Sequence, residues 1–208
     1  FVAGYAGDHR PHQPLPHGPR LLKPTTNTIV KSRLTPNTAM MVIRFMATQL
    51  KNLSDFSHTT VPNGSAFKIA IAVAEWNAEI TGSLYNGALE TLTKHGVVQE
   101  NILSIAVPGS FELTSAADLL LQKHKDLDAV ICLGCVIQGD TKHFDFICDA
   151  VANGITQVSV KHSKPVIFGV LTTNEQQQAI DRAGGKHGNK GDEAAITALK
   201  MAELLATV

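Results

Sequence analysis

The stretch GCVIQGDTKHFD, residues 134–145, holds the densest chemistry in the chain. An apolar run stops at Gln138-Gly139, and Asp140, Thr141, Lys142 and His143 follow directly. If a helix begins near Lys142, the N–H groups of Gly139, Asp140 and Thr141 lack intrahelical partners and lie at the positive end of its dipole. That makes an anion site, best suited to phosphate. Capping of the helix by Asp140 or Thr141 accounts for the same residue types equally well. A carboxylate beside a phosphate dianion is unfavourable, so Asp140 fits the anion reading only through its backbone. His143 can give and take protons near neutrality. The chain has nine histidines, and a lone one is more often a surface or core residue than a proton shuttle. Its place beside the anion site is what distinguishes His143.

Three further groups bear on function. Trp76, the only tryptophan, follows an apolar run and offers either a π face for a flat ligand ring or a plug for a core or interface. Ser110 reads as a natural N-cap, Phe111 as a core candidate and Glu112 as a partner for a helix dipole, yet all three crowd one apolar-run exit. Residues 182–191, RAGGKHGNKG, place Arg182, Lys186 and Lys190 in a Gly-rich loop suited to gripping an oxyanion. That loop lacks the Gly-Lys-Ser/Thr of a Walker phosphate loop, and no Gly-x-Gly-x-x-Gly follows the first apolar run, so the common nucleotide-loop enzymes are disfavoured. No cluster of His, Cys and carboxylates has metal-ligand spacing, and no metal is expected. Cys132 and Cys135 spell CxxC, but three residues of strand span roughly 10 Å and put the side chains on opposite faces, which excludes a disulfide. With Cys148 they read as small buried thiols of a reducing compartment.

These residues need a scaffold, and the hydrophobic pattern supplies one. Residues 67–74 (FKIAIAVA) read as a strand. Ile80, Leu84, Ala88 and Leu92, joined by Tyr85 and Leu89, make a helical stripe ending at His95-Gly96. Residues 101–107 (NILSIAV) are a second strand, 111–125 a second helix and 129–137 a third strand. Phe144, Ile147, Cys148, Val151, Ile155 and Val158 form a third stripe; residues 165–171 (PVIFGVL) are the fourth strand. Thr173 and Gln176 match a capping box, and a last helix runs over 191–205. Four nearly continuous apolar strands separated by helices mean a parallel sheet covered on both faces, a doubly wound α/β domain. Ligands of such sheets bind beyond the carboxyl ends of the strands. The strand exits are Glu75-Trp76-Asn77, residues 108–112, residues 138–143 and the region after Phe168.

Composition narrows the function further. The 208 residues carry no formal net charge, so nothing points to nucleic acid or an acidic membrane as partner. No apolar run approaches the roughly 20 residues of a membrane span. Residues 1–45 hold six of the nine prolines, four arginines and a single acid, Asp8. They read as a disordered or non-native extension; the basic, acid-poor composition also suits a transit peptide. Met46 is the expected functional start, with residues 46–66 an arm and 67–208 the domain. A cytoplasmic protein is expected, or a plastid one if the extension is a transit peptide.

From Phe67 to Leu205 the chain resembles the lumazine synthase family. The resemblance rests on Glu75-Trp76-Asn77, VPGSFE (107–112), LGCVIQGDTKH (133–143), PVIFGV (165–170) and RAG…GNKG (182–191). It implies a flavodoxin-like three-layer α/β/α sandwich with a four-stranded parallel sheet, assembled as homopentamers or multiples of them, with each active site shared by adjacent subunits. It also implies condensation of 5-amino-6-(D-ribitylamino)uracil with 3,4-dihydroxy-2-butanone 4-phosphate, without a cofactor. Carried over by position, Trp76 stacks on the pyrimidine, where the family often has phenylalanine. Ser110, Phe111 and Glu112 hold the ribityl chain, while Cys135, Val136 and Ile137 meet the pyrimidine through backbone. Phe168 closes that pocket. Gly139, Asp140 and Thr141 bind phosphate with Arg182 of the adjacent subunit, Lys190 is a secondary cation, and His143 shuttles protons. Gln138 stands where some members have arginine, and Cys135 where threonine is common. A shell protein that binds lumazine or flavin without catalysis is the rival reading. The phosphate cradle beside His143 weighs against it.

Overall fold

Four apolar runs pair into one all-parallel sheet in the computed structural model, which describes residues 52, 54–56 and 58–208. The strands are β1 (Ile69–Ala74), β2 (Ile102–Val107), β3 (Ala129–Ile137) and β4 (Val166–Thr173), in the spatial order β2-β1-β3-β4. The expected extension over residues 1–45 and the start at Met46 lie outside the described residues.

Helices cover both faces, which is why the strands carry no polar alternation. On one face α1 (Ala78–Lys94) and α5 (Lys190–Thr207) set Leu84, Leu92, Ala195 and Leu199 against Ile69, Ile71, Ile131 and Leu133. On the other, α2 (Leu113–Lys123) and α3 (His143–His162) set Leu113, Leu120, Val151 and Ile155 against Ala70, Ala72, Val130 and Cys132. Each large aliphatic side chain so enclosed contributes about 1.5–3 kcal/mol. This is the expected three-layer flavodoxin-like α/β/α sandwich with a four-stranded parallel sheet. Cys132 and Cys135 belong to opposite cores and are unpaired, as strand geometry requires. Among the described residues no helix is long and apolar enough to cross a membrane.

Several local expectations need correction. Phe67 and Lys68 stay outside β1, and Asn101 ends a 3-10 turn ahead of β2. Ser110 is not an N-cap: Ser110–Glu112 forms its own 3-10 turn behind Gly109, and α2 starts only at Leu113. The Thr173–Gln176 capping box is absent. Thr173 is still paired with Ile137 in the β3–β4 ladder, so Glu175 precedes the short α4 (Gln176–Asp181) without a side-chain cap. The Gly-rich loop is ordered as a hairpin, with β5 (Ala183–Gly185) antiparallel to β6 (Gly188–Asn189). The last helix begins at Lys190, one residue early, because the Asn189 side chain accepts from the Gly191 N–H and caps it.

Helices α2 and α3 are tied laterally through Asp118, which accepts from Lys161 Nζ at 2.8 Å and meets His162 Nε2 at 2.7 Å. Hydrogen bonds from Lys161 first and His162 second hold its carboxyl down at about 2. The folded value lies below the unfolded one, so ionised Asp118 stabilises the fold above about pH 4, and this contribution is lost as pH falls towards 2. Asp118→Asn is therefore expected to melt earlier than the parent at pH 6. The two thermal midpoints should converge by about pH 2, and a constant gap across that range would place the effect elsewhere.

Candidate active site

The carboxyl ends of the first three strands open onto a cleft of about 730 Å³, with Trp76, Asn77, Ser110, Phe111, Glu112, Cys135, Val136, Ile137 and His143 on its walls. One strand-length mismatch creates it. β1 pairs with β3 only as far as Val73 opposite Leu133, whereas β4 follows β3 to Thr173 opposite Ile137. From Gly134 onward β3 therefore lacks a strand neighbour on its β1 side. Gln138 N–H points the other way, to Thr173 O at 2.8 Å, and Cys135 O accepts from Asn77 Nδ2 at 3.0 Å on the open side. Peptide groups alternate sides along a strand, so the Cys135 N–H and both peptide groups of Ile137 face the cleft.

Each wall residue is placed by local structure. Trp76 N–H is pinned to Pro108 O at 3.2 Å, and its indole stands 74% exposed, which rules out a core plug. Asn77 adopts a left-handed conformation (φ 59°) at the start of α1, a region that asparagine tolerates better than most residues. This turn swings its amide onto Cys135 O. Phe111 is 55% exposed, while Ser110 is buried. Gly134 is required here, since a Cβ would lie 2.5 Å from Ser110 Oγ. Glu112 is exposed beside Gly109.

Burial pushes the Cys132 thiol up to about 12 and that of Cys135 up to about 11. Both stay protonated, and Cys135 offers backbone rather than a nucleophile.

Residues Gly139, Asp140 and Thr141 join Ile137 to His143 and are exposed; they follow the cleft wall in sequence but are not among its lining residues. Helix α3 starts at His143 behind Lys142, and no side chain caps it there. Thr141 Oγ1 accepts from the His143 N–H at a long 3.4 Å, and Asp140 projects into solvent. Capping by Asp140 does not explain this segment. His143 is exposed at the mouth of the cleft, within its lining.

Phe168 and Arg182 are not brought to this cleft. Phe168 lies mid-strand in β4 opposite Cys132 and packs towards the α2–α3 core. Arg182 follows α4 at the hairpin, where Nη1 lies 2.7 Å from Glu193 Oε1 and donates to His187 O at 2.9 Å. Lys190 Nζ holds the other Glu193 oxygen at 3.1 Å. Burial by itself would raise the Glu193 carboxyl, but Arg182 and Lys190 outweigh it and hold it below the usual range.

Residues 66–206 match the family model described as 6,7-dimethyl-8-ribityllumazine synthase. The chain belongs to the 6,7-dimethyl-8-ribityllumazine synthase family. It is 63% identical over 156 residues to a protein of that name from Cytophaga hutchinsonii, covering 75% of this chain and 97% of the relative. It is 58% identical over 159 residues to one from Porphyromonas gingivalis, covering 76% and 98%. A Flavobacterium johnsoniae relative of the same name is 55% identical over 157 residues, covering 76% and 82%.

Two residues that hold candidate-site groups, Asn77 and Glu193, carried no assigned role in the sequence reading. Asn77 had a signal, being an asparagine directly after a buried strand, where a left-handed turn is wanted. Glu193 had none, since its pairing with Arg182 crosses from hairpin to helix.

Proposed function

We propose that the cleft is the pyrimidine and ribityl half of an active site completed by a neighbouring subunit. The protein is a transferase of riboflavin biosynthesis: it condenses 5-amino-6-(D-ribitylamino)uracil with 3,4-dihydroxy-2-butanone 4-phosphate to give 6,7-dimethyl-8-ribityllumazine, phosphate and water. One observation carries the residue assignment. The unpaired stretch of β3 between Gly134 and Ile137 offers a row of fixed backbone donors and acceptors, the complement of a pyrimidine edge, in the same cleft that the exposed Trp76 lines.

In this reading Trp76 stacks on the pyrimidine, and Cys135, Val136 and Ile137 bind its edge. Ser110, Phe111 and Glu112 line the ribityl chain, with Glu112 accepting from its hydroxyls. The N–H groups of Gly139, Asp140 and Thr141 hold phosphate at the start of α3. The Asp140 side chain, turned to solvent, is then no obstacle. Arg182 and Phe168 do not line their own chain's cleft, so we assign them to the cleft of an adjacent subunit, where Arg182 neutralises the phosphate and Phe168 closes over the pyrimidine. His143 moves protons as the amine adds to the ketone, as water and phosphate leave, and as the ring closes.

An assembly is consistent with the unprotected edge of β2, where Leu103, Ile105 and the half-exposed Leu119 border an apolar groove of about 420 Å³. Phe146 and Val160 stand exposed on α3. We take these surfaces to pair head-to-tail and close into a ring, a homopentamer. Three unpaired cysteines suit the cytoplasm. Residues 67–208 form the synthase domain in this proposal and 46–66 its arm.

The test is to incubate the purified protein with both substrates and follow lumazine fluorescence. Product is expected to appear at a rate proportional to enzyme. An assembled protein that binds lumazine but forms none would leave only the non-catalytic shell reading.

A further inference from the structure

We infer that Ser54, on the arm preceding the domain, is a positioning residue for the cationic hairpin that carries Arg182 and Lys190. The inference rests on the reading of Arg182 as a phosphate ligand. Ser54 Oγ accepts from the Asn189 N–H at 2.8 Å and lies 2.9 Å from Asn189 O, to which it donates. One hydroxyl thus closes both polar groups of a residue 135 positions away in sequence. The arm is shaped for this contact, because Asn52 Oδ1 accepts from the Ser54 N–H at 2.9 Å and folds the chain over the turn.

The hairpin is shaped for the arm as well. Gly188 has φ +83°, and a Cβ there would run into Asn52 Oδ1 and lie 2.5 Å from Ser54 Oγ. The missing side chain is what lets the arm lie flat on β6.

Asn189 is the junction through which such a strap acts on the cations. Its side-chain oxygen caps α5 through the Gly191 N–H at 2.8 Å, and its Nδ2 donates to Ser83 O at 3.0 Å. Lys190 N–H, next in the chain, donates to Arg182 O at 2.9 Å. Arg182 and Lys190 then share Glu193. The route from the Ser54 hydroxyl to Arg182 passes through the backbone of Asn189 and Lys190, while the Asn189 side chain is fixed to a helix start on one side and to α1 on the other. Ser54 thus supplies two neutral hydrogen bonds to the hairpin. Their loss loosens the hairpin at Asn189 while its other bonds remain, and the phosphate-binding geometry suffers before the fold does.

The experiment measures kcat and KM for 3,4-dihydroxy-2-butanone 4-phosphate in the full chain, in Ser54→Ala, Ser54→Thr, Arg182→Ala and the Ser54→Ala/Arg182→Ala double variant, with thermal midpoints alongside. Ser54→Ala is expected to raise that KM about fivefold, with kcat and the KM for the pyrimidine held within about twofold. Ser54→Thr restores most of the loss. In the Arg182→Ala background Ser54→Ala adds nothing, because Ser54 acts through Arg182. A lowered thermal midpoint with an unchanged KM would make Ser54 merely structural and overturn the inference. So would additive losses in the double variant. If Arg182→Ala itself leaves KM unaltered, the phosphate reading of Arg182 fails and Ser54 loses its role with it. An effect of Arg182→Ala without one from Ser54→Ala sinks the Ser54 inference alone.

Discussion

Arg182→Ala is expected to raise the KM for 3,4-dihydroxy-2-butanone 4-phosphate by about 30- to 100-fold, with a much smaller change in kcat and none in the KM for the pyrimidine. A charge-assisted hydrogen bond to phosphate is worth about 1.5–3 kcal/mol, and a guanidinium presents two in parallel. Part of the loss comes from what remains behind. Glu193 is half-buried and shared between Arg182 and Lys190, so without Arg182 only Lys190 offsets its charge beside the proposed phosphate site. Arg182→Lys keeps the charge but not the fork and should recover about a third of the lost free energy. Inorganic phosphate, measured as a competitive inhibitor, should weaken in parallel with the substrate. An unchanged KM in a variant that assembles normally removes Arg182 from the phosphate site.

What was legible in the sequence divides along physical lines. The parallel sheet could be read because strands buried on both faces are apolar without alternation, as IAIAVA in β1 and AVICLGCVI in β3 show. The opposite facing of Cys132 and Cys135 needed only the two-residue period of a strand. The cleft was legible as a convergence of unusual strand exits, and Trp76, Ser110, Phe111, Glu112, Cys135, Val136, Ile137 and His143 do meet there. Where competing local signals decide the outcome, the reading failed. Ser110 has the chemistry of an N-cap, but the turn before α2 needs its side chain packed against Gly134. Thr173 and Gln176 have the spacing of a capping box, but the β3–β4 ladder claims Thr173 first. The β5–β6 hairpin was invisible because its strands are two and three residues of Gly-rich chain, held by Asn189, Ser54 and Glu193 rather than by any apolar pattern. Such long-range polar bonds leave no period in a sequence.

His143→Ala is expected to slow kcat by roughly 10- to 100-fold without abolishing turnover. The reason lies in the reactants. An aromatic amine and an α-hydroxyketone condense unaided, so holding them in register over the β3 edge supplies most of the acceleration, and proximity alone can contribute about 7–11 kcal/mol. The remaining protein task is proton transfer at several successive steps. His143 is the histidine on the wall of this cleft, exposed at the first residue of α3 where solvent can reload it. Because α3 needs no side-chain cap from His143, its removal leaves the helix and the backbone proposed to bind phosphate in place. Both KM values should then stay within about threefold of the parent, and added imidazole should restore part of kcat. Loss confined to KM would make His143 a binding residue. Complete loss of turnover in an assembled variant would mean that chemistry here depends on this proton donor far more than the reactivity of the substrates allows.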